Sequence, residues 1–213
     1  MKKILVISQK GGSGKTMLAT NLAVAYGKDV VLLDTDPQAN SLDWAEIRKE
    51  KDAIKINSKF LNINNVTKEL DNLALNNTKT VIIDTPPTLS DLQAKLIKHI
   101  DYILVPIMAT KNNIMTIEPM LELIESAQKP FAFVISNAQV NTRMFKSIHD
   151  YISENGRILG LLKASVKMQE AELLGLGIIE HDSKHINAEE IVKIKNYINK
   201  TLKNIDSNKS KEL

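Results

Sequence analysis

Cysteine is absent from this sequence of 213 residues. That excludes disulfides, thiolate zinc sites, cysteine-ligated iron–sulfur clusters and a cysteine nucleophile. Aromatic residues make up only 4% of the chain, so a core has to be built from Ile, Leu, Val and Ala. No apolar run approaches the roughly 18 residues of a membrane span. The run after Met1-Lys2-Lys3 covers only Ile4 to Ile7 and leads into a glycine loop rather than a cleavage site. It does not read as a signal peptide, and a cytoplasmic location is expected. Neither sign of charge dominates, with 28 Lys and Arg against 25 Asp and Glu, a net charge of +3. Such a surplus permits contact with DNA or acidic lipid without arguing for either.

Apolar residues are 43% and charged residues 25% of the chain, an ordinary composition for a soluble globular protein. Short apolar runs at Ile4–Ser8, Val30–Asp34, Ala53–Asn57, Thr80–Asp84, Tyr102–Pro106, Phe131–Ser136 and Ile158–Leu162 read as strands. Most are continuously apolar, as in strands covered on both faces. Helical spacing fills the gaps. Leu18, Leu22 and Ala25 recur in one segment that stops at Gly27, and Met120, Leu121, Ile124 and Ala127 in another that stops before Pro130. The alternation predicts an α/β fold with a mostly parallel, twisted sheet and helices on both faces. There is no repeat and no Pro/Gly/Ser-rich linker, so a single domain over residues 1–205 is expected, followed by a polar, frayed tail over 206–213. The asparagine-rich stretch from Asn62 to Asn77 is read as a compositional habit.

Lys10-Gly11-Gly12-Ser13-Gly14-Lys15-Thr16 follows an expected strand and opens an expected helix. In that setting glycines let backbone N–H groups form a concave anion nest. The helix beginning near Gly14 directs its positive end at phosphates. Lys15 supplies a charge for the β- and γ-phosphates, and the Thr16 hydroxyl a magnesium ligand. Gln9 stands where the general phosphate-loop pattern has its first glycine, and the dinucleotide fingerprint fails at Met17. Two carboxylate-bearing strand ends join the loop. Val81-Ile82-Ile83-Asp84 ends in an acid able to hold magnesium through a water, or simply to form a turn. Asp34-Thr35-Asp36-Pro37-Gln38 ends another, and a turn built on Asp and Pro is its bland alternative. In a parallel sheet, all three elements fall at one edge.

Together these residues resemble the deviant Walker A family of P-loop ATPases, which includes ParA, MinD, the nitrogenase iron protein and the arsenite-pump ATPase. The hallmark is K-G-G-x-G-K-[ST], present here from Lys10 to Thr16. The resemblance implies a single-domain P-loop NTPase that uses ATP and Mg2+. It implies that Lys10 reaches across an ATP-sandwich homodimer to the partner's phosphates, that Asp36 helps activate water, and that Asp34 supports the metal site. Asp84 takes the Walker B role, and Asn137 hydrogen-bonds adenine. Ala109-Thr110 replaces an expected Pro-Ser, Met17 replaces a second hydroxyl residue, and Lys167 stands where relatives often carry Arg, which loses bidentate geometry.

The absence of cysteine removes the iron–sulfur and arsenite branches. The D-x-D-P-Q string favours ParA over MinD. The resemblance then implies a DNA-segregation ATPase of the small ParA subgroup, without an N-terminal helix-turn-helix. Its ATP dimer coats DNA without sequence preference at the nucleoid, and a centromere-binding partner protein releases it. Lys163, Lys167 and Lys193 are candidate DNA contacts, with Lys195, Lys200, Lys203 and Arg143 behind them; a solvated surface charge is the alternative for each. A MinD-like membrane-cycling ATPase is the competing reading. The stripe Ile191, Ile194, Ile198, Leu202 and Ile205 either docks on lipid or packs on the sheet; it carries no Phe or Trp, which disfavours membrane binding. A small-molecule synthetase or kinase would leave Lys10 without a role.

Overall fold

The computed structural model describes residues 1–88, 90–108, 110, 117–140 and 142–209. Seven strands form one sheet: β1 (Lys2–Val6), β2 (Val30–Asp34), β3 (Asn57–Phe60), β4 (Thr80–Asp84), β5 (Tyr102–Met108), β6 (Phe131–Ala138) and β7 (Ile158–Lys163). Their order is β3-β2-β4-β1-β5-β6-β7, and every neighbouring pair is parallel. The chain winds to one side of β1 for β2–β4 and to the other for β5–β7. The reversal beside β1 is where open α/β sheets place their ligands.

Helices cover both faces. They are α1 (Lys15–Tyr26), α2 (Asn40–Lys49), α3 (Val66–Leu75), α4 (Asp91–Ile97), α5 (Ile117–Ser126), α6 (Arg143–Asn155), α7 (Val166–Leu173), α8 (Ile178–His181) and α9 (Ile186–Lys209). Strand alternation divides the core in two. Leu5, Ile7, Leu33, Ile83, Ile103 and Val105 face the layer containing α3, α5 and α6. Ile4, Val6, Leu32, Ile82, Tyr102 and Leu104 face the layer containing α1 and α9. The low aromatic content shows here, because the central strands bury almost only Ile, Leu and Val. The expected α1 stops at Gly27, and the Ile191–Leu202 stripe is buried against the sheet rather than displayed.

Several strand ends shift by one or two residues, as in β1, which is Lys2–Val6 rather than Ile4–Ser8, and two boundaries differ by more. The third strand is Asn57–Phe60, not Ala53–Asn57. It is a short, polar edge strand pairing only with β2, and edges are kept polar to avoid further pairing, so its composition hides it. The final helix continues through Lys209, past the boundary placed at residue 205. Residues 210–213 of the expected tail lie outside the described residues. No helix among the described residues is long and apolar enough to cross a membrane.

Candidate functional site

The loop between β1 and α1 turns through left-handed backbone at Gly12 (φ 73°) and Gly14 (φ 88°). Side chains rarely adopt that conformation. A Cβ on Gly14 would also come within 3.2 Å of the Met17 methyl and 3.3 Å of the Ser136 Cβ. The Ser136 hydroxyl, at the end of the neighbouring half-sheet, donates to the Ser13 carbonyl at 2.5 Å. This bond pins the loop to β6. The Lys15 side chain folds back over the loop, and its Nζ donates to the Lys10 carbonyl at 3.3 Å. Burial lowers the Lys15 pKa, while Asp84 and Asp36 oppose that shift. The Ser13 hydroxyl is fully buried and has no hydrogen-bond partner among the described residues.

Three strand ends bring the acids to the loop. Asp84 is the register partner of Val6 on one side and of Asp34 on the other. Burial pushes the Asp84 carboxyl up to about 7, against a hydrogen bond from the Thr16 hydroxyl and the charge of Lys15. A hydroxyl beside a buried carboxylate is an all-oxygen donor pair, the kind that suits Mg2+ with phosphate and water completing its shell. Thr16 and Asp84 therefore fit the expected metal. Asp34 is different. It is fully buried; its Oδ1 accepts from the Asp36 N–H at 2.8 Å, and its Oδ2 from the Ser41 N–H at 3.1 Å and hydroxyl at 2.7 Å. Both oxygens are engaged within the protein, and Asp34 fixes the turn that carries Asp36 to the start of α2.

A cleft of about 600 Å³ opens over the loop, within the roughly 300–1,000 Å³ typical of ligand sites. Gly11 to Thr16 form its floor, and Asp36, Gln38 and Pro87 stand on its walls. The Asp36 carboxylate is held in a tight turn by the Gln38 N–H at 2.9 Å. Lys10 is exposed and lies outside this lining. A second cleft of about 230 Å³ shares Gly12, Gly14 and Met17 with the first and extends to Asn137, Lys163 and Ser165. Asn137 thus borders the space next to the phosphate floor. It is the next-to-last residue of β6, which runs on to Ala138, and sits at φ 50°, where the β6–β7 register slips between Ile135 and Ala138. The irregularity turns its amide out of the ladder.

The lysines separate into groups. Lys163 lines the second cleft, and its backbone is clasped by the Asn187 amide through two bonds of 2.8 Å. Lys167 pairs with Asp182 at 2.5 Å, and Lys193 with Glu190 at 2.6 Å. Lys195 donates to the Ala25 carbonyl at 2.8 Å. Lys200, Lys203 and Arg143 are exposed. Ala109 lies outside the described residues.

Sequence reasoning missed several residues that shape the site. Ser41 donates twice to Asp34, seven residues earlier, and Ser136 acts through one hydrogen bond to Ser13, far along the chain. Arg48 is 3% exposed and binds the Glu180 carboxylate through both terminal nitrogens, at 2.7 and 2.5 Å. It also donates to the Ile54 and Gly175 carbonyls, tying α2 to the α7–α8 connection. No local pattern marks any of the three.

The CobQ/CobB/MinD/ParA nucleotide binding domain family matches residues 4–178. Maintenance of carboxysome distribution protein A of Halothiobacillus neapolitanus is 26% identical over 161 residues, covering 72% of this chain and 74% of that protein. The MinC:MinD cell division protein complex of Aquifex aeolicus aligns with TM-score 0.73 at 20% identity, over 93% of this chain and 95% of its own. The AMPPNP-bound structure of a plasmid partition protein from Borrelia burgdorferi aligns with TM-score 0.66 at 18% identity, over 91% and 97% of the two chains.

Proposed function

This chain belongs to the CobQ/CobB/MinD/ParA nucleotide-binding family, and from that premise we propose that it is a ParA-type partition ATPase that segregates DNA through an ATP-dependent homodimer. The observation that carries the reading is the placement of Asp36. Its carboxylate stands on the wall of the phosphate cleft on a turn fixed by the buried Asp34. Magnesium-bound ATP supplies the reactive phosphoanhydride and most of the charge that the site must neutralise. The loop N–H groups and Lys15 hold the phosphates, Thr16 and Asp84 hold the metal, and Asp36 orients a water toward the γ-phosphate. Asn137 reads the base edge, since its amide offers one donor and one acceptor. Lys10, exposed and outside its own cleft, serves the cleft of a second copy. ATP then favours the dimer, the dimer binds DNA, and a centromere-binding partner protein accelerates hydrolysis and release at the nucleoid.

The burial of the apolar face of α9 supports partition over a membrane-cycling role. Ile191, Ile194 and Ile198 are 0% exposed, so laying this helix on lipid would open the core. The test compares ATP-dependent retention on plasmid DNA with flotation on anionic vesicles. Asp36→Ala should bind ATP, stay dimeric and remain on DNA with hydrolysis largely lost. Normal turnover in that variant removes Asp36 from catalysis, and ATP-driven flotation without DNA retention overturns the partition reading.

A further inference from the structure

At the pole opposite the nucleotide cleft, where the strands begin, a groove of about 1,040 Å³ is bordered by Lys2, Lys129, Leu202 and Ile205. On its α9 side stand ammonium groups held by neutral acceptors. Lys2 and Lys195 flank the Tyr26 ring, with their Nζ atoms 6.0 and 5.8 Å from its centroid. The Lys2 Nζ donates to the Asn199 amide oxygen at 2.6 Å, and the Lys195 Nζ to the last turn of α1 through the Ala25 carbonyl at 2.8 Å. Both are fastened by neutral acceptors, which fix their positions and leave their charge uncompensated. Lys203, exposed two turns further along α9, adds a third charge close enough to act on Lys2.

Two carboxylates at this pole are committed to other lysines. Asp29 pairs with Lys79 at 2.7 Å, and Asp101 with Lys3 at 3.0 Å. Asp206 also lines the groove and has an interaction of its own. Among the described residues, no ion pair neutralises Lys2, Lys195 or Lys203. Burial, then Lys203 and Lys195, hold the Lys2 ammonium below the usual lysine range. A positive cluster kept together against its own repulsion is relieved by an anion. Lys167 and Lys193 present the opposite case, since each already has a carboxylate within 2.6 Å.

We propose that the Lys2–Lys195–Lys203 cluster beside Tyr26 is the face on which this protein takes the phosphate backbone of duplex DNA. The assignment rests on the partition reading and gives its DNA contact a location. Two observations favour a nucleic-acid backbone over lipid. Lys2 and Lys195 present fixed point charges that suit a row of phosphates, and the apolar face of α9 beneath the cluster is already buried in the core. The face also points away from the phosphate cleft, so a second copy closing over Lys10 leaves it open.

The experiment measures retention of full-length protein on supercoiled plasmid with Mg2+ and ATP over a series of salt concentrations. The variants are Lys2→Gln/Lys195→Gln/Lys203→Gln, the single exposed change Lys203→Glu, and the comparison pair Lys167→Gln/Lys193→Gln. Nucleotide binding and thermal unfolding are followed for each. Loss of three phosphate contacts should weaken binding roughly tenfold or more and lower the salt slope by about 2.7, at about 0.9 per contact. The comparison pair should bind as the parent does, and Lys203→Glu should weaken binding in the same direction as the triple variant. Parent-like affinity and slope in the triple variant and in Lys203→Glu overturn the site while leaving the partition reading intact. A parent protein that binds phosphatidylglycerol vesicles and not plasmid overturns both.

Discussion

Asp34→Asn separates the positioning of Asp36 from the binding of ATP. The buried Asp34 carboxylate accepts from Asp36 N–H, Ser41 N–H and Ser41 Oγ. An asparagine of the same shape has a single carbonyl oxygen. If that oxygen faces Ser41, it keeps both bonds at the α2 terminus, and the amide NH2 then points at the Asp36 N–H. One charge-assisted bond is lost and two donors confront each other. A lost bond to a charged group costs about 1.5–3 kcal/mol. Burial raises the Asp34 pKa, so removing the charge returns part of that cost, and a net loss of about 1–2 kcal/mol follows. The larger effect falls on turnover, because displacing a water-orienting group by about 1 Å costs on the order of 100-fold. Single-turnover phosphate release should therefore drop about 100-fold, while a fluorescent ATP analogue binds within about threefold of the parent. Thermal unfolding shows whether the variant is folded at the assay temperature. Parent-like turnover in a folded Asp34→Asn protein would refute the positioning argument. So would a loss of ATP affinity equal to the loss of turnover, because that would make Asp34 part of the nucleotide grip.

Lys15→Ala removes the lysine that lies across the phosphate floor, and ATP affinity should become undetectable at millimolar nucleotide by equilibrium dialysis; near-parent affinity would contradict the assignment of the cleft. The Asp84 carboxyl titrates at about 7 in the fold, against about 3.9 unfolded. The native state therefore holds the extra proton between these values, and stability of the nucleotide-free protein should fall as pH rises through that window and level off above it, by up to about 1.4 kcal/mol per unit. Asp84→Asn should flatten this dependence in urea titrations, and an unchanged profile would locate the dependence elsewhere. Magnesium-dependent ATP binding should weaken as pH drops below 7, since a proton competes with the metal for the same oxygens. Gly175→Ala places a Cβ 2.6 Å from the Arg48 backbone nitrogen at φ +68°, which should cost about 3 kcal/mol or more of stability, read by chemical denaturation.

Legibility followed the sequence distance over which each feature is built. The phosphate loop and the Asp34–Gln38 turn were readable because the groups that define them are neighbours, and the glycines, lysine and acids are demanded by backbone geometry and charge at those positions. The continuous apolar runs of β1, β2 and β4 were readable because both sheet faces are covered. The edge strand β3 escaped because an edge has only one partner and no need of apolar residues. The end of β6 was read at Ser136 because nothing local announces a slip against β7; the irregularity belongs to the pair of strands.

Long-range pairing explains the rest. Ser136 and Ser13 lie 123 residues apart, and Arg48 and Glu180 lie 132 apart. Serine, arginine and glutamate are common enough that no spacing singles these out. The same holds for the basic surface. The sequence put Lys167 and Lys193 ahead of Lys195 and Lys203, but the fold sets Asp182 beside the first and Glu190 beside the second, while it draws Lys2 from the other end of the chain toward the remaining two. A lysine's availability to an outside anion depends on which carboxylates the fold leaves near it. For a chain with a net charge of only +3, that local arrangement, more than the overall charge, decides where a polyanion can bind.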